Sequence, residues 1–68
     1  QIGMVLNRQG ESRQAVFYLT RALSFFTNHH DLYNERNACY GLYEALKDSN
    51  PQAAMRHLKR YADIRDSL

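Results

Sequence analysis

The sequence lacks most of the devices by which very small domains hold themselves together. Cys39 is the single cysteine in 68 residues, so no disulfide can form within the chain. That argues against a disulfide-built secreted module and favours a cytoplasmic setting. No stretch approaches the ~18 consecutive apolar residues of a membrane span, and no signal-peptide pattern begins the chain. Gln1 is no natural start, however, and the sequence is expected to be cut from a longer protein. Glycine and proline are scarce, at three and one. No Gly/Ser linker, low-complexity tract or strand-period alternation interrupts the chain, which leaves one small helical domain. Charge of one sign is short too: the formal net charge of +2 is too weak to imply a nucleic-acid partner. A chain of this size buries only about 60% of the surface its unfolded form exposes, so an isolated copy is marginal.

What the sequence does have is an internal echo. Ala15, Leu19, Ala22 and Leu23 form one stripe of a helix, and Ala54, Leu58, Tyr61 and Ala62 repeat it 39 residues later. Upstream, Ile2 and Leu6 are answered by Leu42 and Leu46, and Gly10 by Asn50, each 40 residues on. A period in this range is the signature of stacked helix–turn–helix units.

Four helices are expected. The first, over 1–9, places Ile2, Val5, Leu6 and Gln9 on one side and ends at Gly10 as a C-cap glycine. The second runs from Glu11 or Ser12 to about Thr27, with aromatic residues off its main stripe, so that more than one side is apolar. The turn former Asp31 is a candidate N-cap for a third helix over 32–47. Cys39, Leu42, Tyr43 and Leu46 form one face of that helix, and Asn37, Tyr40, Glu44 and Lys47 another. Asp48-Ser49-Asn50-Pro51 is the clearest punctuation, with Asn50 as N-cap and Pro51 at the first position of a fourth helix over 51–66.

The two units resemble the tetratricopeptide repeat, an antiparallel helix pair. Ile2-Gly3-x-x-Leu6 and Leu42-Tyr43-x-x-Leu46 stand for the helix A signature. Ala15-x-x-x-Leu19 with Ala22-Leu23, and Ala54-x-x-x-Leu58, stand for that of helix B. Tyr43 and Tyr61 depart from the small residues of the pattern. The unit is longer than the usual ~34 residues, and such longer repeats are similar to those of bacterial regulatory proteins. The ending Tyr-Ala-Asp-Ile-Arg-Asp-Ser-Leu resembles the last repeat of some sensor-kinase repeat domains. The resemblance implies an all-α fold of antiparallel helix–turn–helix repeats stacked as a short right-handed α-solenoid. Residues 1–28 would be a truncated first pair and residues 31–68 the second. It also implies that helix A lines a concave groove, which selects Met4, Asn7 and Arg8 from the first unit and Asn37, Tyr40, Glu44 and Lys47 from the second. The Lys/Asn clamp with which some members hold a C-terminal carboxylate is not matched, because Tyr40 and Glu44 occupy two of its places.

Little else in the sequence carries chemistry. His29-His30-Asp31 and the distant His57 offer no clamp spacing, so no metal is expected. Cys39 lies on an apolar helix face without an activating cation, and reads as a small buried hydrophobe. Glu35 and Glu44 are nine residues apart with no pocket around them, which gives no support to paired-carboxylate catalysis. Arg56, Lys59, Arg60 and Arg65 give the last helix a basic side, but Asp63 and Asp66 break it, as on a solvated face. The expectation is a protein-interaction scaffold that binds a protein or peptide, without catalysis, cofactor or nucleic acid. Two rivals stand beside it: a sensory or regulatory segment of a bacterial signalling or transcription-regulating protein, and an oligomerisation element. Two units are fewer than the three a solenoid usually needs. Self-association as a homodimer, or packing against adjoining repeats, is therefore expected through Phe17, Tyr18, Phe25 and Phe26, with Tyr61 and Ile64 on the last helix.

Overall fold

The computed structural model describes the backbone of residues 2–68 and the side chains of residues 10–68. It is all-helical and has three helices among the described residues: α1 (Ile2–Asn28), α2 (Leu32–Leu46) and α3 (Pro51–Ser67). The turn expected at Gly10 does not form, so residues 2–28 are one helix rather than a helix pair. The phase of the apolar stripe accounts for this. The positions Val5, Gln9, Ser12, Val16 and Leu19 continue one helical stripe straight through Gly10, with no phase break that a turn would impose. Gly10 also keeps a negative φ, whereas a C-cap glycine takes a positive one. A helical glycine costs about 1 kcal/mol against alanine, which is not enough to end a helix whose apolar stripe runs on in phase.

The other two junctions follow the sequence closely. α1 closes with Asp31 N–H donating to the Phe26 carbonyl at 2.9 Å and His30 N–H to Thr27 at 3.2 Å. This is the Schellman arrangement, and it places His30 at a φ of 55°, the left-handed conformation usually left to glycine. Asp31 then caps α2: its carboxylate accepts from the Asn34 backbone at 3.2 Å and from the Asn34 side chain at 2.7 Å. At the second junction the Asn50 side chain accepts from Ala53 N–H at 3.2 Å, and Pro51 opens α3.

Short connections make neighbouring helices antiparallel, and the contacts agree. Leu19 and Gly41 stand equally far on either side of His30 and touch across α1 and α2. α2 packs against both α1 and α3, while α1 and α3 do not pack on each other among the described residues. The molecule is correspondingly elongated, 42 × 19 × 15 Å. Its long dimension is close to the ~40 Å expected for a helix of 27 residues.

The core lies around α2. Ala38, Cys39 and Leu42 are buried, as are Ala53, Ala54 and Ile64 of α3. From α1, the half-buried stripe Ala15, Val16, Leu19, Ala22, Leu23 and Phe26 faces the same helix. The small residue of the α1–α2 contact is Gly41, which is not a position of the repeat signature. A Cβ there would sit 3.0 Å from Leu19 Cδ1. Ile64 was expected on a self-association surface. It is 2% exposed and belongs to the α2–α3 core instead.

Among the described residues, one buried side chain is charged. Glu35 is 4% exposed, and its Oε2 accepts from Arg60 Nε at 2.9 Å across the α2–α3 contact. Arg60 keeps about half of its side chain in solvent, so the pair is only half desolvated. The same guanidinium lies close enough to Cys39 to act on its thiol. Burial, and next the Glu35 charge, still push that thiol above its ordinary pKa. Cys39 is therefore an inert filler in its setting.

The Gly41 contact makes a graded prediction. Gly41→Ala gains about 1 kcal/mol of helix propensity and presses only on the mobile end of Leu19, so its stability should stay within about 1 kcal/mol of wild type. Gly41→Leu forces α1 and α2 apart and should cost about 1–3 kcal/mol. Urea melts followed by circular dichroism measure both, and a wild-type midpoint for Gly41→Leu would contradict the close approach.

Candidate functional site

With two sides of α2 taken up by packing, its third side faces solvent. Asn37, Tyr40, Glu44 and Lys47 lie along that side, exposed and at helical spacings of three, four and three. The face expected for this helix thus exists as one stripe. The first-unit candidates Met4, Asn7 and Arg8 lie outside the described side chains.

The stripe is wired together locally. Lys47 Nζ donates to Glu44 Oε2 at 3.0 Å, with both side chains a little under half exposed. The hydrogen bond from Lys47, and next that from Tyr40, hold the Glu44 carboxyl below its usual range. The hydrogen bond to Glu44, and next the carboxylate's charge, raise the Tyr40 phenol above its ordinary value. Lys47 is raised in turn by its bond to Glu44. Glu44 is consequently an ionised, solvent-accessible acceptor at neutral pH.

α3 contributes to the same face, which the sequence did not indicate. Tyr61 packs beside Tyr40 with ring centroids 5.1 Å apart and planes at 48°. Tyr43, one turn along α2, lies 5.9 Å from Tyr40 at 43°. Tyr61, expected on a self-association surface, is therefore part of a three-tyrosine cluster that bridges two helices. The Arg65 guanidinium lies 5.8 Å from the Tyr61 ring centroid. Tyr43 could have been added from its i, i+3 spacing to Tyr40. Tyr61 could not, because its place depends on how α3 is rotated against α2.

A second aromatic surface lies on α1, on the side away from α2. Phe17, Tyr18 and Phe25 are 56%, 67% and 56% exposed. Arg21 lies over Phe17 at 5.6 Å, and His29 stacks on Phe25 at 4.1 Å. Phe26 touches Phe25 edge-on but is itself half-buried. On the far side of α3, Met55, Leu58 and Ala62 floor a shallow open hollow between Arg56 and Lys59. Leu58 and Ala62 were expected on the core stripe with Ala54. The helix instead turns Ala53, Ala54 and Ile64 into the core, leaving Leu58 and Ala62 half-exposed.

Among the described residues, no three His, Cys, Asp or Glu side chains converge to hold a metal ion. His29, His30 and Asp31 serve the α1–α2 turn through their backbone and the Asp31 cap. No helix of the described residues is long and apolar enough to cross a membrane. In comparisons with known proteins, the chain matches no family model, no curated protein and no solved structure.

His57 on α3 gives this region a pH response. Burial, and next the neighbouring Arg56 charge, lower its pKa below the ordinary histidine value. The folded chain thus resists a proton that the unfolded chain accepts at about pH 6.5. A depressed histidine contributes stability that is present above the unfolded pKa and lost as the pH falls below it. Thermal midpoints should fall between about pH 7.5 and pH 5.5, and His57→Gln should flatten that fall. An unchanged slope in the variant would remove His57 as its source.

Proposed function

We propose that this chain is a non-catalytic interaction module that binds a protein or peptide partner along the α2–α3 face, as one segment of a tetratricopeptide-like helical array. The observation that carries the reading is Tyr40. It is 44% exposed while packed on one side by Tyr61 and on another by Tyr43. An aromatic ring held in place at the surface loses little entropy when a partner covers it, and tyrosine is among the residues most enriched at interface hot spots. Asn37 and Lys47 add a polar rim of the kind that surrounds such anchors. The tetratricopeptide reading draws support from the Asn50-Pro51 turn and from the burial of Ala54 between α2 and α3. The continuous α1 is its least conforming part. A role as a sensory segment of a signalling protein is compatible with the same face and adds only what the surface reports to.

A specific observation favours a second reading. The exposed Phe17, Tyr18 and Phe25 give α1 an apolar outer side in addition to the one that meets α2. A helix apolar on two sides is normally sandwiched between neighbours. We infer self-association, or packing on a further helix, through those three rings. The seam is smaller than the sequence suggested, since Ile64 is in the core and Tyr61 belongs to the tyrosine cluster.

Peptides selected on the immobilised 68-residue chain test the first reading. Tyr40→Ala should weaken the selected binders tenfold or more, equivalent to about 1.4 kcal/mol, with its thermal midpoint little changed. Binders indifferent to both Tyr40→Ala and Tyr61→Ala would overturn it. For the second reading, sedimentation equilibrium at micromolar concentration should show a dimer that Phe25→Glu dissociates, and a monomeric wild type would end it.

A further inference from the structure

The outer side of α1 has an order that its three exposed rings alone do not reveal. At 100° per residue, the arc of about 100° that carries Phe17, Tyr18 and Phe25 also carries Gly10, Gln14 and Arg21. Between Gly10 and Phe25 no other residue falls within that arc, and all six are exposed. Their intervals are four, three, one, three and four, so the set reads the same from either end. Laid against an antiparallel copy of itself, such a stripe gives each of its positions a partner from the same set. Phe25 then meets Gly10 of the second copy, Arg21 meets Gln14, and Phe17 meets Tyr18.

The side chains match as the spacing does. Gly10 is helical, keeps a negative φ and makes no turn. Among the described residues, nothing lies within 4 Å of the place its Cβ would take. The bare backbone there serves no contact within this chain, and it leaves a notch in which a ring can lie close against the helix. The largest side chain at one end of the stripe thus meets the missing side chain at the other. At the centre, Phe17 and Tyr18 of the two copies form aromatic pairs.

Charge selects the same register. From Gly10 to Phe25 the charged residues are Glu11, Arg13 and Arg21, of which only Arg21 is on the stripe. Sliding the copies until Phe17 met Phe25 would set Arg21 against Arg21, and a parallel pair would do the same while leaving both notches empty. In the antiparallel register the two Arg21 residues stand ~10 Å apart along the axis, and each is within one helical turn of Glu11 of the other copy.

We propose that α1 pairs with α1 of a second copy as an antiparallel two-fold dimer, with Phe25 of each chain seated on Gly10 of the other. The proposal rests on the reading of the α1 rings as a self-association seam and gives that seam its register.

Sedimentation equilibrium and cross-linking of the 68-residue chain test it. Gly10→Leu fills the notch. It should raise the dissociation constant tenfold or more without lowering the helical circular dichroism signal, because the position is open within the chain. Phe25→Ala should also weaken the dimer. The chain carrying both Gly10→Leu and Phe25→Ala should recover most of the affinity, since large and small have changed places. A short bismaleimide should link a Gln14→Cys chain to an Arg21→Cys chain and link neither to itself, with the buried Cys39 unreactive. Self-linking of either variant would mean a different register and overturn the proposal. A dimer that Phe25→Glu dissociates but Gly10→Leu leaves intact would overturn it too, while the aromatic seam would stand. A monomeric wild type would end both.

Discussion

A helix of fifteen residues, α2, has to bury two of its sides at once, and the rest of the structure depends on how it does so. Toward α1 it presents Gly41, which lets Leu19 close to within van der Waals reach of the backbone. Toward α3 it presents Glu35, which meets Arg60. Ala38, Cys39 and Leu42 are buried along the same helix. Small residues where backbones approach and larger ones where space remains are what close packing requires. Because α1 and α3 do not pack on each other among the described residues, nothing else holds the three helices together.

The Glu35–Arg60 pair constrains this arrangement more sharply than apolar contacts do. Leucine, isoleucine and methionine can slide past one another at modest cost, and cores tolerate such exchange. A carboxylate that is almost fully buried cannot, because any rotation of α3 that carried Arg60 away would leave a desolvated charge without a partner. Arg60 keeps half its side chain in water, which limits what its own desolvation costs. The register that satisfies Glu35 is also the register that brings Tyr61 beside Tyr40.

The parts of the fold legible in the sequence were those written in local backbone chemistry. Asp31 and Asn50 cap helices as their types and positions indicated, and Pro51 opens α3. The α2 stripe from Asn37 to Lys47 needed only the helical period. Gly10 misled because glycine marks a helix end only when the apolar stripe also changes phase there, and here it does not. Ile64 and Tyr61 misled for a different reason. A helix with residues of moderate hydrophobicity all around it, as α3 has, does not announce which arc meets its neighbour. The repeat offset selected Ala54, Leu58, Tyr61 and Ala62; of these Ala54 is buried and Tyr61 meets Tyr40 of α2, whereas Ala53 and Ile64 complete the core in place of Leu58 and Ala62.

That rotation decides which apolar residues stay at the surface. Had α3 packed through Leu58 and Ala62, as the repeat offset suggested, Ile64 and Ala53 would face water and Arg60 would lie far from Glu35. In the observed rotation the second apolar arc, Met55 with Leu58 and Ala62, is left outside as a shallow hollow. Phe17, Tyr18 and Phe25 play the same part on α1. Both outer helices therefore carry apolar arcs that folding of this chain does not use, whereas the tyrosine cluster is ordered by the contact between α2 and α3. Outer arcs of this type suit the addition of further helices at either end, by a neighbouring segment or by a second copy. The apolar outer arcs and the tyrosine cluster therefore lie on different surfaces of the three-helix unit.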